Sequence, residues 1–183
     1  MHELSDSELF AALHYARSID EQQGRQILEQ FQADQPALAN TIFGIFPAVI
    51  AQKNQDLSYF FMDLCFDIIC VFAHAFGTLP PQSGLDITWL EKQVSMMGTE
   101  LQAVLKNQTM DAQIQKKLQD RLIEREKENP AQVKLTQFLN TAIDEYASEC
   151  PSRTEATQMT QRITQAVIRL MNSVYSHTLN ITH

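Results

Sequence analysis

Between Asp56 and Phe76 the chain reads DLSYFFMDLCFDIICVFAHAF, a run with no helix breaker that is apolar on nearly every side. A helix of this composition has to be wrapped by other elements or by lipid. At about 100° per residue, Asp56, Asp63, Asp67, Cys70 and His74 share a stripe roughly 60° wide. Apart from Ser58, Tyr59 and Cys65, the remaining positions are Leu, Phe, Met, Ile, Val or Ala. The stripe is therefore either a strip of wetted surface or a site.

Length alone would let Leu57 to Phe76 cross a bilayer. Asp63 and Asp67 would then lie near its centre, where each carboxylate costs on the order of 2.5–3.5 kcal/mol, while each Phe, Leu or Ile returns only a few tenths. The better reading is the buried core helix of a globular protein. A net charge of −8 excludes sequence-independent nucleic-acid binding, which needs a basic face to displace counterions, and disfavours an anionic membrane surface as partner. The start, MHELSDSELFAAL, has no basic region followed by an apolar core and a small-residue cleavage site, so a cytoplasmic location is expected. Cys65 and Cys70 stand five apart on one helix and point to different faces. With Cys150 they are expected to stay reduced.

Start and stop signals divide the rest of the chain into helices. Ser5-Asp6-Ser7-Glu8 reads as a capping box opening a helix to about Arg17, and Ser18-Ile19-Asp20-Glu21 repeats the signature for a second helix through Phe31. Pro36 suits a first helical turn, and the segment it opens carries Leu38, Ile42, Phe46 and Ile50 on one face. Pro47 lies inside that segment and predicts a kink near Phe43–Gly44. Gly77 ends the central helix, and Gly77 to Asp86 is the richest run of breakers.

Beyond it, Thr88-Trp89-Leu90-Glu91 predicts a helix to about Asn107, and a thinly apolar helix follows from Thr109 to Glu128. Pro130 opens another, with Leu135, Phe138, Leu139, Ala142, Ile143 and Tyr146 turned inward. Ser152 to Glu155 caps the last, which extends to about Leu179 with Met159, Ile163, Ala166, Leu170 and Val174 on its apolar face. No stretch alternates as a strand would. The fold expected is an all-α bundle of about seven to eight helices around a central apolar helix near residues 56–76. It is expected as one domain over 1–183, with 1–76 and 86–183 as the alternative division into sub-bundles.

Chemistry has few places to reside. Asp63, Asp67, Cys70 and His74 follow one another at spacings of four, three and four, which brings ligand atoms onto one helix face as in metal sites of helical bundles. Thiolate and imidazole suit zinc or copper, and carboxylates with imidazole suit iron or manganese. One helix supplies ligands from one side only, so Glu100, Asp144, Glu145, Glu149 or His177 would have to complete the set. Cys70 with His74 at i, i+4 also has the form of a thiolate–imidazole pair. No Glu-x-x-His, His-Glu-x-x-His, Cys-x-x-Cys, Gly-rich phosphate loop or Gly-x-Ser-x-Gly occurs. No catalytic residues and no cofactor are assigned, and no motif ties the chain to a known family. The function expected is a non-enzymatic cytoplasmic interaction or regulatory protein, with a protein partner or self-association as a homodimer. The alternative is a metal- or small-ligand-binding bundle, its transition metal held by Asp63, Asp67, Cys70 and His74.

Overall fold

Helix-starting residues set the frame. In a computed structural model of the chain, the described residues are 1–79, 81–89, 92–93, 96, 116–117, 131–148 and 154–181. α1 (Asp6–Ser18) begins at Ser5, whose Oγ accepts from the Glu8 N–H while Glu8 reaches back to the Ser5 N–H at 2.8 Å. The Ser5 hydroxyl, donating to Glu8 Oε2 at 2.6 Å, then the Ser5 N–H and His2, hold the Glu8 carboxyl well below its usual range, at about 2. α2 (Glu21–Asp34) is capped by Asp20, with Gln23 as the reciprocal partner. The cap is thus two residues later than Ser18, because the Ser18 hydroxyl instead donates to the Tyr15 carbonyl and closes α1.

Pro36 starts α3 (Pro36–Asn40) as expected. The disturbance ahead of Pro47 takes the form of a π-helical turn, Thr41–Ile45, in which the Phe46 N–H donates to the Thr41 carbonyl. Widening the turn by one residue accommodates a ring that has no N–H to donate and would crowd the preceding turn. α4 (Phe46–Ala51) then leads into α5 (Gln55–Phe76), capped by Asn54 through a 2.8 Å bond from the Leu57 N–H. Gly77, at φ 86° and ψ −169°, ends α5; this backbone region is essentially restricted to glycine.

A short 3-10 turn (Gln82–Gly84) carries the chain back, and Gln82 Oε1 accepts from the Ala37 N–H at the start of α3. At the next helical turn, Asp86 rather than Thr88 provides the main cap, accepting from the Trp89 N–H at 2.9 Å. The helices expected from Thr88 to Asn107 and from Thr109 to Glu128 fall mostly outside the described residues, as do Cys150 and the cap at Ser152. α6 (Val133–Ser148) and α7 (Thr154–Ile181) complete the described elements. The protein is all-α, and no strand occurs among the described residues.

α5 is the hub, packed by α1, α4 and α7, with α6 lying on α7. Leu57, Phe61, Leu64, Ile68, Ile69 and Phe72 of α5 are buried, and each such side chain contributes about 1.5–3 kcal/mol relative to exposure. Leu135, Leu139 and Ile143 of α6 and Met159, Ile163, Leu170 and Val174 of α7 join the same core. Ser58, the one buried polar side chain on α5, donates to the Pro47 carbonyl at 2.9 Å. That bond satisfies both groups and ties the α4 turn to the central helix. By length and composition α5 is apolar enough to cross a membrane, and 44% of that apolar window is buried within the described fold.

Candidate functional site

The polar stripe of α5 lies along the seam with α1, and its members have unlike surroundings. Asp56, Asp63 and His74 are exposed, Asp67 is half-buried and Cys70 is buried at 1%. Burial raises the Asp67 carboxyl above its ordinary value, Arg17 of α1 draws it back down and Asp63 adds a smaller upward push. The Cys70 thiol is pushed up to about 12, first by burial and then by the Asp67 charge. Complete burial likewise raises the Cys65 thiol well above its ordinary value. Near neutrality both sulfurs are therefore held mainly as thiols, which are weak nucleophiles.

His74 stacks on Tyr15 of α1 with ring centroids 4.8 Å apart and planes at 25°. Among the described residues no group of three or more His, Cys, Asp or Glu side chains is placed to hold a metal ion. Of the residues expected to complete such a site, Asp144 accepts from Gln161 of α7 at 2.7 Å. His177 stacks on Trp89 at 4.3 Å. Glu145 is exposed, and Glu100 and Glu149 lie outside the described residues.

His74 has a second neighbourhood. It stands on the rim of a groove of about 970 Å³ between α2 and the C-terminal end of α5. The groove exists because only Ile19 and Asp20 connect α1 to α2, so α2 turns back beside the hub. The two helices approach at Gly24, where a Cβ would stand 3.4 Å from Phe66 of α5. Away from that point they leave a channel. Ile27 and Phe31 of α2, Ile69 and Ala73 of α5, Leu79, and Met171 and Tyr175 of α7 supply its apolar surface.

Gln23, Gln26 and Gln30 stand at i, i+3 and i+7 along the α2 wall, with Asp34 a turn beyond. Gln30 donates to Asp34 at 2.7 Å. Tyr15, Ser18, His74 and Thr78 make the other rim. Tyr175 is fixed by its hydroxyl, which donates to the Gly77 carbonyl at 2.8 Å, and burial pushes its phenol well above the usual range. The walls carry neutral amides and hydroxyls, one carboxylate and one imidazole, and neither Lys nor Arg lines the groove. Such a surface suits hydrogen bonding to amides alongside burial of apolar groups, and it offers little to a phosphate.

Of the four residues singled out from the sequence, the structure brings only His74 to this groove. Asp63, Asp67 and Cys70 are absent from its lining. The glutamine row, Tyr15 and Tyr175 were missed. The row had a signal in the sequence, since Gln23, Gln26, Ile27, Gln30 and Phe31 share one helix face, but glutamine on an exposed helix is the ordinary case. No protein-family model, curated protein or solved structure matches the chain.

Proposed function

We infer that this chain is a non-enzymatic, cytoplasmic helical interaction protein that receives a segment of a protein partner, or of a second copy of itself, in the groove between α2 and α5. The observation that carries this reading is the groove's construction, an open apolar channel of about 970 Å³ walled by the neutral amides of Gln23, Gln26 and Gln30. Glutamine amides both donate and accept, so they match peptide main chain without demanding a charge. Apolar anchors of an incoming segment would meet Ile27, Phe31 and Met171. The thiol state of Cys70 also supports a binding role over thiol catalysis, since a group at about 12 carries almost no thiolate near neutrality.

Site-specific photo-cross-linking tests the reading. A benzoylphenylalanine at Gln26, in the groove, is expected to give a discrete adduct that disappears when Ile27→Asp is added. The same probe at Gln32, on the far face of α2, is expected to give none. Equal labelling from both positions, or none from Gln26, removes the groove from consideration. Native mass spectrometry before and after chelator separates the metal- or small-ligand alternative. A bound mass lost from an Asp67→Asn/His74→Ala variant, with cross-linking absent, favours the α5 stripe.

A further inference from the structure

The residues ahead of α1 are held in the manner of a bound peptide. Gln132, the residue before α6, is 2% exposed and reads main chain on both sides of Glu3. Its Nε2 donates to the His2 carbonyl at 2.9 Å, and its Oε1 accepts from the Leu4 N–H at 3.0 Å. Leu4 is buried at 1%. Between them, Glu3 accepts from the Lys134 N–H at 3.1 Å, in the first turn of α6, where helix N–H groups lack intrahelical partners and the helix end is positive. The Lys134 ammonium lies 2.8 Å from the Asp6 carboxylate.

One buried amide bonding main chain, one leucine in a closed pocket and one carboxylate on a helix N-terminus together form a peptide-recognition arrangement. Gln132 also has φ 49°, a left-handed conformation that side-chain-bearing residues adopt at a cost. Such outliers persist where the surroundings enforce them, and they gather at ligand clamps.

We propose that the slot formed by Gln132, Lys134 and the Leu4 pocket is a peptide-binding site for a partner segment in which an acidic residue precedes leucine. Residues 2–4 of this chain are its resident occupant and close it in cis. The slot shares no residue with the lining of the α2–α5 groove, so the two readings stand or fall separately. A tethered occupant has a very high effective concentration, so a free segment competes only when the arm is weakened.

The test uses the full chain carrying Leu4→Glu, which removes the arm's apolar anchor and leaves the slot's own residues unchanged. The probe is a fluorescein-labelled, end-blocked peptide of residues 2–7, followed by anisotropy. Saturable binding is expected to be at least about tenfold tighter to Leu4→Glu than to wild type. Adding Gln132→Leu, or replacing leucine by alanine in the probe, is expected to weaken it by at least about tenfold. A folded Leu4→Glu chain that binds no probe, or binds the alanine probe equally well, overturns the proposal. If Leu4→Glu prevents folding, native-state hydrogen exchange of the wild type decides. The Leu4 amide is expected to exchange at least about tenfold faster than the Leu139 amide, because the arm opens without unfolding the core. Exchange of Leu4 only through global unfolding overturns the proposal.

Discussion

Replacing Gln132 by alanine or by glycine separates what its side chain does from what its backbone costs. The side chain makes two hydrogen bonds, to the His2 carbonyl and from the Leu4 N–H, at 2.9 and 3.0 Å. Each is worth about 1 kcal/mol net, and a buried N–H left without an acceptor adds about 1–3 kcal/mol. Gln132→Ala is therefore expected to destabilise the fold by about 3–5 kcal/mol. At φ 49° the alanine keeps a left-handed strain of about 1–2 kcal/mol that glycine does not have. Part of that gain is offset by the greater freedom of glycine in the unfolded chain, about 0.4–1 kcal/mol. Gln132→Gly is thus expected to be more stable than Gln132→Ala by about 0.5–1 kcal/mol while remaining below wild type. Urea unfolding followed by far-ultraviolet circular dichroism measures both, with the denaturant dependence unchanged if only the folded state is altered. A glycine variant less stable than the alanine variant would refute the backbone argument. An alanine variant as stable as wild type would refute the clamp.

Three further outcomes are expected. Asp67 has a raised folded-state pKa, so its contribution to stability is present below the unfolded value and is lost as pH rises through the folded one. Asp67→Asn should therefore stabilise the protein at pH 7 and lose that advantage at about pH 3; thermal unfolding across this range checks the sign, and a variant destabilised at pH 7 contradicts it. Gly77→Ala meets no atom within 4 Å but must adopt φ 86° and ψ −169°. A loss of about 1–3 kcal/mol is expected in urea unfolding, and an unchanged midpoint would show that α5 can end differently. Cys70, at about 12, is ionised to roughly one part in ten thousand at pH 8. Peptide mapping after brief iodoacetamide treatment should leave Cys65 and Cys70 unmodified in the native protein and fully modified in urea, whereas rapid native labelling of Cys70 would mean that the α1–α5 seam opens.

Local signals were legible wherever they act over a few residues. Ser5 with Glu8, Pro36 and Gly77 mark helix ends through bonds or φ angles that their own neighbours satisfy, and the long apolar run of α5 could become a helical hub without reference to the fold. The choice of Asp20 over Ser18 as a cap was less legible, because both side chains suit the role. What decided it was whether the Ser18 hydroxyl bonded backward to Tyr15. Pro47 announced a disturbance, but whether the helix bends or widens depends on what α4 must reach, and the Ser58 bond to Pro47 comes from another helix.

By itself, then, the sequence determined the helical class, the central position of α5 and most helix boundaries, since periodicity and capping are short-range properties of the chain. Only the tertiary structure decided where the polar groups of α5 went. One helical stripe was divided among solvent at Asp63, a charged seam with Arg17 at Asp67, the core at Cys70 and a groove rim at His74, because burial is set by the helix that packs opposite. The groove left only the shared helix face of Gln23, Gln26 and Gln30 as a signal, and the Gln132 clamp left none. Their residues are ordinary glutamines, and they acquire a chemical role only when α2 turns back on α5 and the start of the chain meets α6.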